Sequence, residues 1–290
     1  MTTLNLGIPK GSLENTTIEL FRRAGWKISS SSRSYIPTVD DKDLNCKLAR
    51  PQEMSRYVES GVLDAAITGA DWTLENESDV LVIENLVYSR ISFRPTKWVL
   101  AVRNDSAVQT AEDLDGGIVA TEFVKTTERY FSGKGVSVQV EFSWGATEAK
   151  AAEGLVDGIV DVTETGSTLK ENGLRIVETL TTSNPQLIAN HESYRDTWKR
   201  AKIDQIALLL KGALEAESRV GMKLNIPKGQ IESILDLLPS ITAPTVADLY
   251  GKNWVSIEIV VSEAEVRDLI PRLRERGAEG IIEYPLTKIV

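Results

Sequence analysis

The chain has little of the chemistry that side chains use to bind metals or form cross-links. Its 290 residues include one cysteine, Cys46, and one histidine, His191. A single cysteine excludes an intrachain disulfide and a cysteine-rich zinc site, and a single histidine excludes a multi-histidine metal centre. A Ser-His-Asp triad would have to use His191, which lies in ANHESYRD, a stretch that reads as a loop entering a helix. No run of 18 apolar residues occurs, and MTTLNLGIPKGSL has neither a basic n-region nor a long apolar h-region. These absences predict a soluble, cytoplasmic protein with no membrane partner. Positive charge is also scarce. With 33 Lys and Arg against 42 Asp and Glu, the net charge is -9, which argues against nucleic acid as a partner. A phosphate site in such a chain must be local, built from a few cations and oriented backbone N–H groups.

The length implies two or three compact units, each with its own core. In the first half, short aliphatic runs alternate with amphipathic helical patterns, the signature of parallel α/β architecture. LNLGIP reads as a strand, about Leu13 to Ala24 as a helix, CKLAR as a strand, PQEMSRYVESG as a helix closed by Gly61, and LDAAITGAD as a strand ending in a glycine loop. A second α/β unit begins near Lys97, with strands at WVLAVR, GIVATE, VSVQVEF and DGIVDV. Its helices fall at about Thr126 to Phe131, Thr147 to Glu153 and Thr168 to Asn172. RIVETLTTSNPQLIAN then crosses back to the first unit, and a long helix from about Ser193 to Arg219 completes it. The remainder reads as strand Met222 to Ile226, helix Ile231 to Leu238, strands Thr245 to Leu249 and Trp254 to Val261, helix Glu263 to Arg276 and strand Gly280 to Tyr284. That β-α-β-β-α-β order is the ferredoxin-like pattern.

GLVDGIVDVTETGSTL carries the clearest chemistry. An apolar strand delivers Asp161 to its C-terminal end, and the next turn sets Thr163, Thr165, Ser167 and Thr168 around Gly166 where a helix begins. Four hydroxyls, close backbone approach at a glycine and unpaired N–H groups make a phosphate cradle without a lysine. Asp157 and Asp161, four residues apart, share a strand face, where a carboxylate would serve ribose hydroxyls or Mg²⁺. The same string also fits a plain strand, turn and Ser/Thr-rich helix cap.

DGIVDVTETGSTLKENGL resembles the phosphoribosyl pyrophosphate loop of the ATP phosphoribosyltransferase family, whose reaction opens histidine biosynthesis. IPKGSL resembles the family's opening strand and loop, LARPQEMSRYVESGVLDAAITGADW its second motif, and the terminal unit the histidine-binding domain of its long form. The resemblance implies a two-domain, periplasmic-binding-protein-like catalytic core with a C-terminal ferredoxin-like (βαββαβ) regulatory domain. The divisions expected are residues 1–96 with 178–211, residues 97–177, and residues 212–290. It implies Lys10, Gly11 and Arg50 for ATP, with Gly69 and Asp71 bordering the nucleotide. Asp157, Asp161, Thr163, Thr165, Gly166, Ser167 and Thr168 would bind phosphoribosyl pyrophosphate. Lys10, Arg50, Glu148 and Asp161 would be catalytic, Glu148 and Asp161 would serve the metal, and Asn225 and Thr245 would lie at a histidine site. Structural alternatives stay open: Lys10 simply solvated, Arg50 paired with Glu53, Asp71 capping a turn. Ser12, where many members carry arginine, and FRPTKW depart from the family pattern.

The reaction implied is attack by N1 of the ATP adenine on C1 of the phosphoribosyl group, displacing pyrophosphate, with Mg²⁺ as cofactor. Histidine would inhibit, AMP is a further nucleotide ligand to consider, and dimers and hexamers are implied. A ring nitrogen with a free lone pair needs no strong general base. The competing expectation is a non-catalytic small-molecule-binding protein of the same two-lobed layout.

Overall fold

A computed structural model describes residues 2–30, 34–89, 95–238 and 243–290. The chain divides into two compact units, Met1–Phe21 with Trp26–Ala207, and Arg22–Gly25 with Leu208–Val290.

The larger unit contains two five-stranded sheets. The first is formed by β1 (Leu4–Pro9), β4 (Leu44–Ala49), β5 (Ala65–Gly69), β6 (Leu81–Asn85) and β12 (Pro185–Ala189), in the order β4-β1-β5-β12-β6. The strands β2 (Ile28–Ser29) and β3 (Thr38–Val39) form a separate small ribbon. β1 runs parallel to β4 and β5, so their C-terminal ends open on one edge. α1 (Glu14–Ala24) follows β1, and α2 (Pro51–Glu59) follows β4. The apolar face of α2 buries Met54 and Val58 against Leu63, Ala66 and Ile188.

The second sheet contains β7 (Thr96–Arg103), β8 (Ile118–Thr121), β9 (Gln139–Phe142), β10 (Gly158–Thr163) and β11 (Leu174–Ser183), ordered β11-β7-β10-β8-β9. β7 reads WVLAVR because both its faces are covered. Trp98 and Leu100 enter one core, Val99 and Ala101 the other. α4 (Val124–Gly133), α5 (Thr147–Ala152) and α6 (Ser167–Glu171) accompany this sheet. β11 stays in the sheet to Ser183, past the limit expected at residue 177, and the chain re-enters the first sheet at Pro185. Phe93 and Arg94 of the FRPTKW stretch lie outside the described residues.

The segment after β5 and the helix expected from Ser193 differ from the sequence reading. The glycine loop expected after β5 is a helix, α3 (Ala70–Asn76), whose Trp72 packs edge-on against Trp98 and Phe123 of the second lobe. A seven-residue helix has too few apolar positions to show a period. The long helix expected from Ser193 is broken into α7 (His191–Arg195) and α8 (Thr197–Glu215). Asn190 caps α7 by accepting from the Glu192 and Ser193 N–H groups, and Asp196 is extended (φ -66°, ψ 120°) and accepts from Lys199 N at 2.8 Å. Two caps six residues apart start two helices, which a periodicity argument cannot distinguish from one.

The smaller unit adds β13 (Arg219–Pro227), α9 (Glu232–Leu235), β14 (Thr245–Asp248), β15 (Trp254–Ser262), α10 (Glu263–Glu275) and β16 (Glu279–Pro285). The all-antiparallel order β14-β15-β13-β16 is the ferredoxin-like arrangement read from the sequence. The helix expected over Ile231 to Leu238 is only four residues of α-helix after a 3₁₀ turn, Lys228–Gln230. Met222, Leu224 and Ile226 of β13 interleave with Ile257 and Ile259 of β15 to fill its core.

Asp196→Ala should remove the α8 cap and lower unfolding free energy by about 1 kcal/mol, read from urea unfolding. No measurable change would mean that the break between α7 and α8 does not depend on that carboxylate.

Candidate functional site: a cleft with a hydroxyl loop facing two cations

The parallel strands β1 and β4 end side by side, and the residues just past them converge. Lys10 N donates to Ala49 O at 2.8 Å, which fixes the two strand exits together. Lys10 and Arg50 both line a cavity of about 380 Å³, and Gly11 lies against the Arg50 guanidinium. The Lys10 ammonium lies 3.8 Å from the centroid of the Tyr35 ring, and Arg50 lies over the Trp144 ring at 5.8 Å.

The turn after β10 lies at the same cavity. Thr163, Glu164, Thr165, Ser167 and Thr168 line the same cavity. Gly166 has φ +80°, a left-handed conformation that favours glycine, and its N–H donates to Thr163 Oγ1 at 2.8 Å. The Thr165 and Ser167 hydroxyls bond each other at 3.0 Å. α6 has only five residues, so an anion here would meet local N–H and O–H donors more than a macrodipole. Ser12 also lines this cavity. Glu164, which the sequence reading passed over between two threonines, lines it as well and accepts from Ser89 Oγ at 2.8 Å.

Gly69 and Asp71 form the floor. Asp71 is buried, and its carboxylate accepts from Trp98 Nε1 at 2.8 Å and Trp72 N at 3.0 Å, while its own N–H donates to Ser183 Oγ. Burial pushes its carboxyl above the ordinary range in spite of these bonds. Asp71 therefore joins the lobes more than it offers oxygens to a ligand. Gly69 makes room for this, since a Cβ there would meet Asp71 Oδ1 at 2.0 Å.

The acidic residues are less gathered than expected. Asp157 precedes β10, and its carboxylate accepts from Ile118 N at 2.8 Å. It stands at the opposite end of the strand, about 20 Å of extended chain from Thr163. The expectation that Asp157 faces the phosphoribosyl loop is corrected, because a shared strand face does not place two residues at the same strand end. Asp161 and Glu148 do not line the cavity, but Asp161 feels the charges of Glu148 and of Glu122, which does. Burial first, then those charges, push the Asp161 carboxyl up to about 7. Glu122 is likewise raised, mainly by burial, and accepts from Gln52 Nε2 at 3.3 Å. A second cavity of about 660 Å³ shares Arg50, Gln52, Trp72 and Glu122 with the first and is bordered by the exposed rings of Phe142 and Trp144.

In the smaller unit Asn225 pairs with Ser256, and Thr245 with Glu258, so both face the sheet surface away from its core. They are separated by the width of β15 and do not touch.

Two lobes joined by crossing strands, with a ligand-sized cleft at the strand ends, define the two-lobed α/β class shared with solute-binding proteins. The sulphonate-binding protein SsuA from Escherichia coli shares that fold at 16% identity, covering 81% of this chain and 73% of that chain with a TM-score of 0.50. The family is narrower. The HisG description, ATP phosphoribosyltransferase, matches residues 50–212, and the HisG C-terminal domain matches residues 216–288. ATP phosphoribosyltransferase 1 of Geobacter sulfurreducens is 59% identical over 99% of both chains, and the ATP phosphoribosyltransferase of Solidesulfovibrio magneticus is 57% identical over 99% of this chain and 98% of its own. A solved HisG:HisZ ATP phosphoribosyltransferase complex from Thermotoga maritima matches at 30% identity and TM-score 0.64, covering 74% of this chain and all of that one. The chain belongs to the ATP phosphoribosyltransferase family and is a transferase, with the long-form C-terminal domain. Among the described residues, no helix is long and apolar enough to cross a membrane.

Two outcomes follow from the geometry. Gly69→Ala should displace the Asp71 carboxylate and cost about 1–3 kcal/mol of stability by urea unfolding, and an unchanged midpoint would contradict the close approach. The native state keeps the Asp161 proton up to about 7, whereas the unfolded chain releases it near the ordinary 3.8. Stability from this group therefore falls as pH rises between those values. Asp161→Asn should gain in Tm over the unsubstituted protein progressively from pH 4 to 7, and parallel curves would contradict the shift.

Proposed function

We propose that this protein condenses ATP with 5-phosphoribosyl 1-pyrophosphate to N1-(5-phosphoribosyl)-ATP and pyrophosphate, in the cytoplasm, as the first step of L-histidine biosynthesis. The observation that carries this reading is that the hydroxyls of the Thr163–Thr168 loop line one cavity together with Lys10 and Arg50. A 5-phosphate needs many short donors and close backbone approach, which the loop supplies. A leaving pyrophosphate needs compact positive charge, which Lys10 and Arg50 supply. With both in one cavity, C1 would lie between them, and attack would come from the side opposite the leaving group. The N1 lone pair forms the new bond while the C1–oxygen bond breaks with its electrons on pyrophosphate.

When bound, Mg²⁺ would supply charge neutralisation on the pyrophosphate. Among the described residues, no group of three or more His, Cys, Asp or Glu could enclose a metal ion. Glu148 and Asp161 would be the carboxylates to hold it, and a cation beside them would offset the charge of Glu148 that adds to burial in raising Asp161. The terminal unit fits a regulatory role in which histidine, near the Asn225 and Thr245 face, restrains the enzyme within a homo-oligomer, with AMP as a further nucleotide ligand. A purely binding function has only the fold in its favour.

The decisive assay supplies ATP, phosphoribosyl pyrophosphate, Mg²⁺ and a pyrophosphatase, and follows the ultraviolet change of N1-substituted adenine. No product would reject the activity, and a rate indifferent to L-histidine would reject the regulatory role. Thr165→Ala or Gly166→Val should weaken phosphoribosyl pyrophosphate binding far more than ATP binding, and equal losses would contradict the loop assignment.

A further inference from the structure

Among the side chains of the Thr163–Thr168 turn, Glu164 alone is acidic. An ionised carboxylate only accepts hydrogen bonds, so it has nothing to offer a phosphate oxygen. It reaches out of the turn instead and accepts from Ser89 Oγ at 2.8 Å. Ser89 is 2% exposed, so this hydroxyl is shielded from water. It belongs to the crossing from β6, which ends at Asn85, to β7, which begins at Thr96. The residue before it, Tyr88, is buried as well, and its hydroxyl shares a 2.7 Å hydrogen bond with Thr17 Oγ1. Thr17 lies on α1, the helix that follows the turn carrying Lys10. Two adjacent residues of one crossing thus hold α1 on one side and the hydroxyl loop on the other. Lys10, Tyr88, Ser89 and Glu164 line the same cavity.

The shape of the loop and its place are held by different bonds. Shape is internal: Gly166 N donates to Thr163 Oγ1, and the Thr165 and Ser167 hydroxyls bond each other. Place is set from outside, where Glu164 meets Ser89. We propose that Ser89 and Glu164 are positioning residues, whose bond sets the separation between the hydroxyl loop and the Lys10 and Arg50 cations to the span of phosphoribosyl pyrophosphate. The inference rests on the proposed activity, because only a ligand with an anion at each end has a span to be matched. Such a ligand engages both seats together only when they lie as far apart as its own two anions, and it loses the second attachment when they do not. A ligand with one anion needs one seat and is indifferent to the separation. Fixing the span also fixes C1 between two anchored groups, where a small displacement is costly to the rate.

Equilibrium binding to the full-length protein, measured by calorimetry with Mg²⁺ present, tests this with phosphoribosyl pyrophosphate, ribose 5-phosphate and pyrophosphate as separate probes. Ser89→Ala should raise the Kd for phosphoribosyl pyrophosphate by about tenfold and leave those for ribose 5-phosphate and pyrophosphate within about twofold. Glu164→Ala removes the same bond from the other end and should match it, and the double variant should bind no more weakly than either single one. Glu164→Gln keeps an acceptor oxygen for Ser89 and should stay within about twofold of the parent. The proposal is overturned if Ser89→Ala binds phosphoribosyl pyrophosphate like the parent, or if it weakens ribose 5-phosphate as much, which would make the bond a support of the loop's own shape. Additive losses in the double variant, or a parent that holds phosphoribosyl pyrophosphate no more tightly than ribose 5-phosphate, would overturn it too. Product formation by a parent whose Ser89→Ala variant binds as before would remove the tether and leave the activity standing. The expected binding pattern without product would do the reverse.

Discussion

The bond between the Asp71 carboxylate and the Trp98 indole holds the two halves of the cleft in one frame. Asp71 belongs to α3, which leaves the first sheet at Gly69, while Trp98 lies in the second sheet, stacked on Phe123 at 4.3 Å. Burying a carboxylate is costly, and here the Trp98 and Trp72 N–H donors and the packing of the two indole rings offset the cost. The same helix sends Glu75 to accept from the Lys125 and Thr126 N–H groups, supplying from another lobe the cap that α4 lacks. Glu77 adds ion pairs to Lys125 and Arg129. α3 is therefore a first-lobe helix built into the second lobe. The Ser183 to Pro185 crossing lines the cleft beside it.

Electrostatics then decide what the frame can bind. An acidic chain accommodates polyanionic substrates only by concentrating its few cations, and the parallel exits of β1 and β4 deliver Lys10 and Arg50 to one wall. On the facing wall the phosphate donors are neutral, so the loop adds no further cation to a site where positive character develops on the ribose. Glu122 lines the cavity as well, and its charge and that of Glu148 reach Asp161. Burial first, and then those charges, push the Asp161 carboxyl up to about 7.

Much of this was legible in the sequence, and the limits have physical reasons. Strands such as WVLAVR and the hydroxyl-rich turn at Gly166 could be read because burial on both faces and a left-handed glycine leave marks in residue type. The ferredoxin-like order emerged because alternation in TrpValSerIleGluIleVal, residues 254–260, separates core from surface one residue at a time. α3 was missed because its seven residues are fixed by tertiary contacts rather than by their own pattern. Asp157 was misplaced because periodicity gives the face of a strand and not which end is used. Glu164, Glu122 and the second cavity carry no local signal, since their meaning depends on what the fold brings opposite them.

The account's central claim is that the Thr163–Thr168 loop holds the phosphoribosyl 5-phosphate while Lys10 and Arg50 face the pyrophosphate. A crystal structure with phosphoribosyl pyrophosphate and Mg²⁺, without ATP, tests it most directly. The account predicts the 5-phosphate within hydrogen-bond distance of the loop hydroxyls and N–H groups, with the pyrophosphate against Lys10 and Arg50. A 5-phosphate seated on Lys10 and Arg50 with the loop unengaged would contradict it.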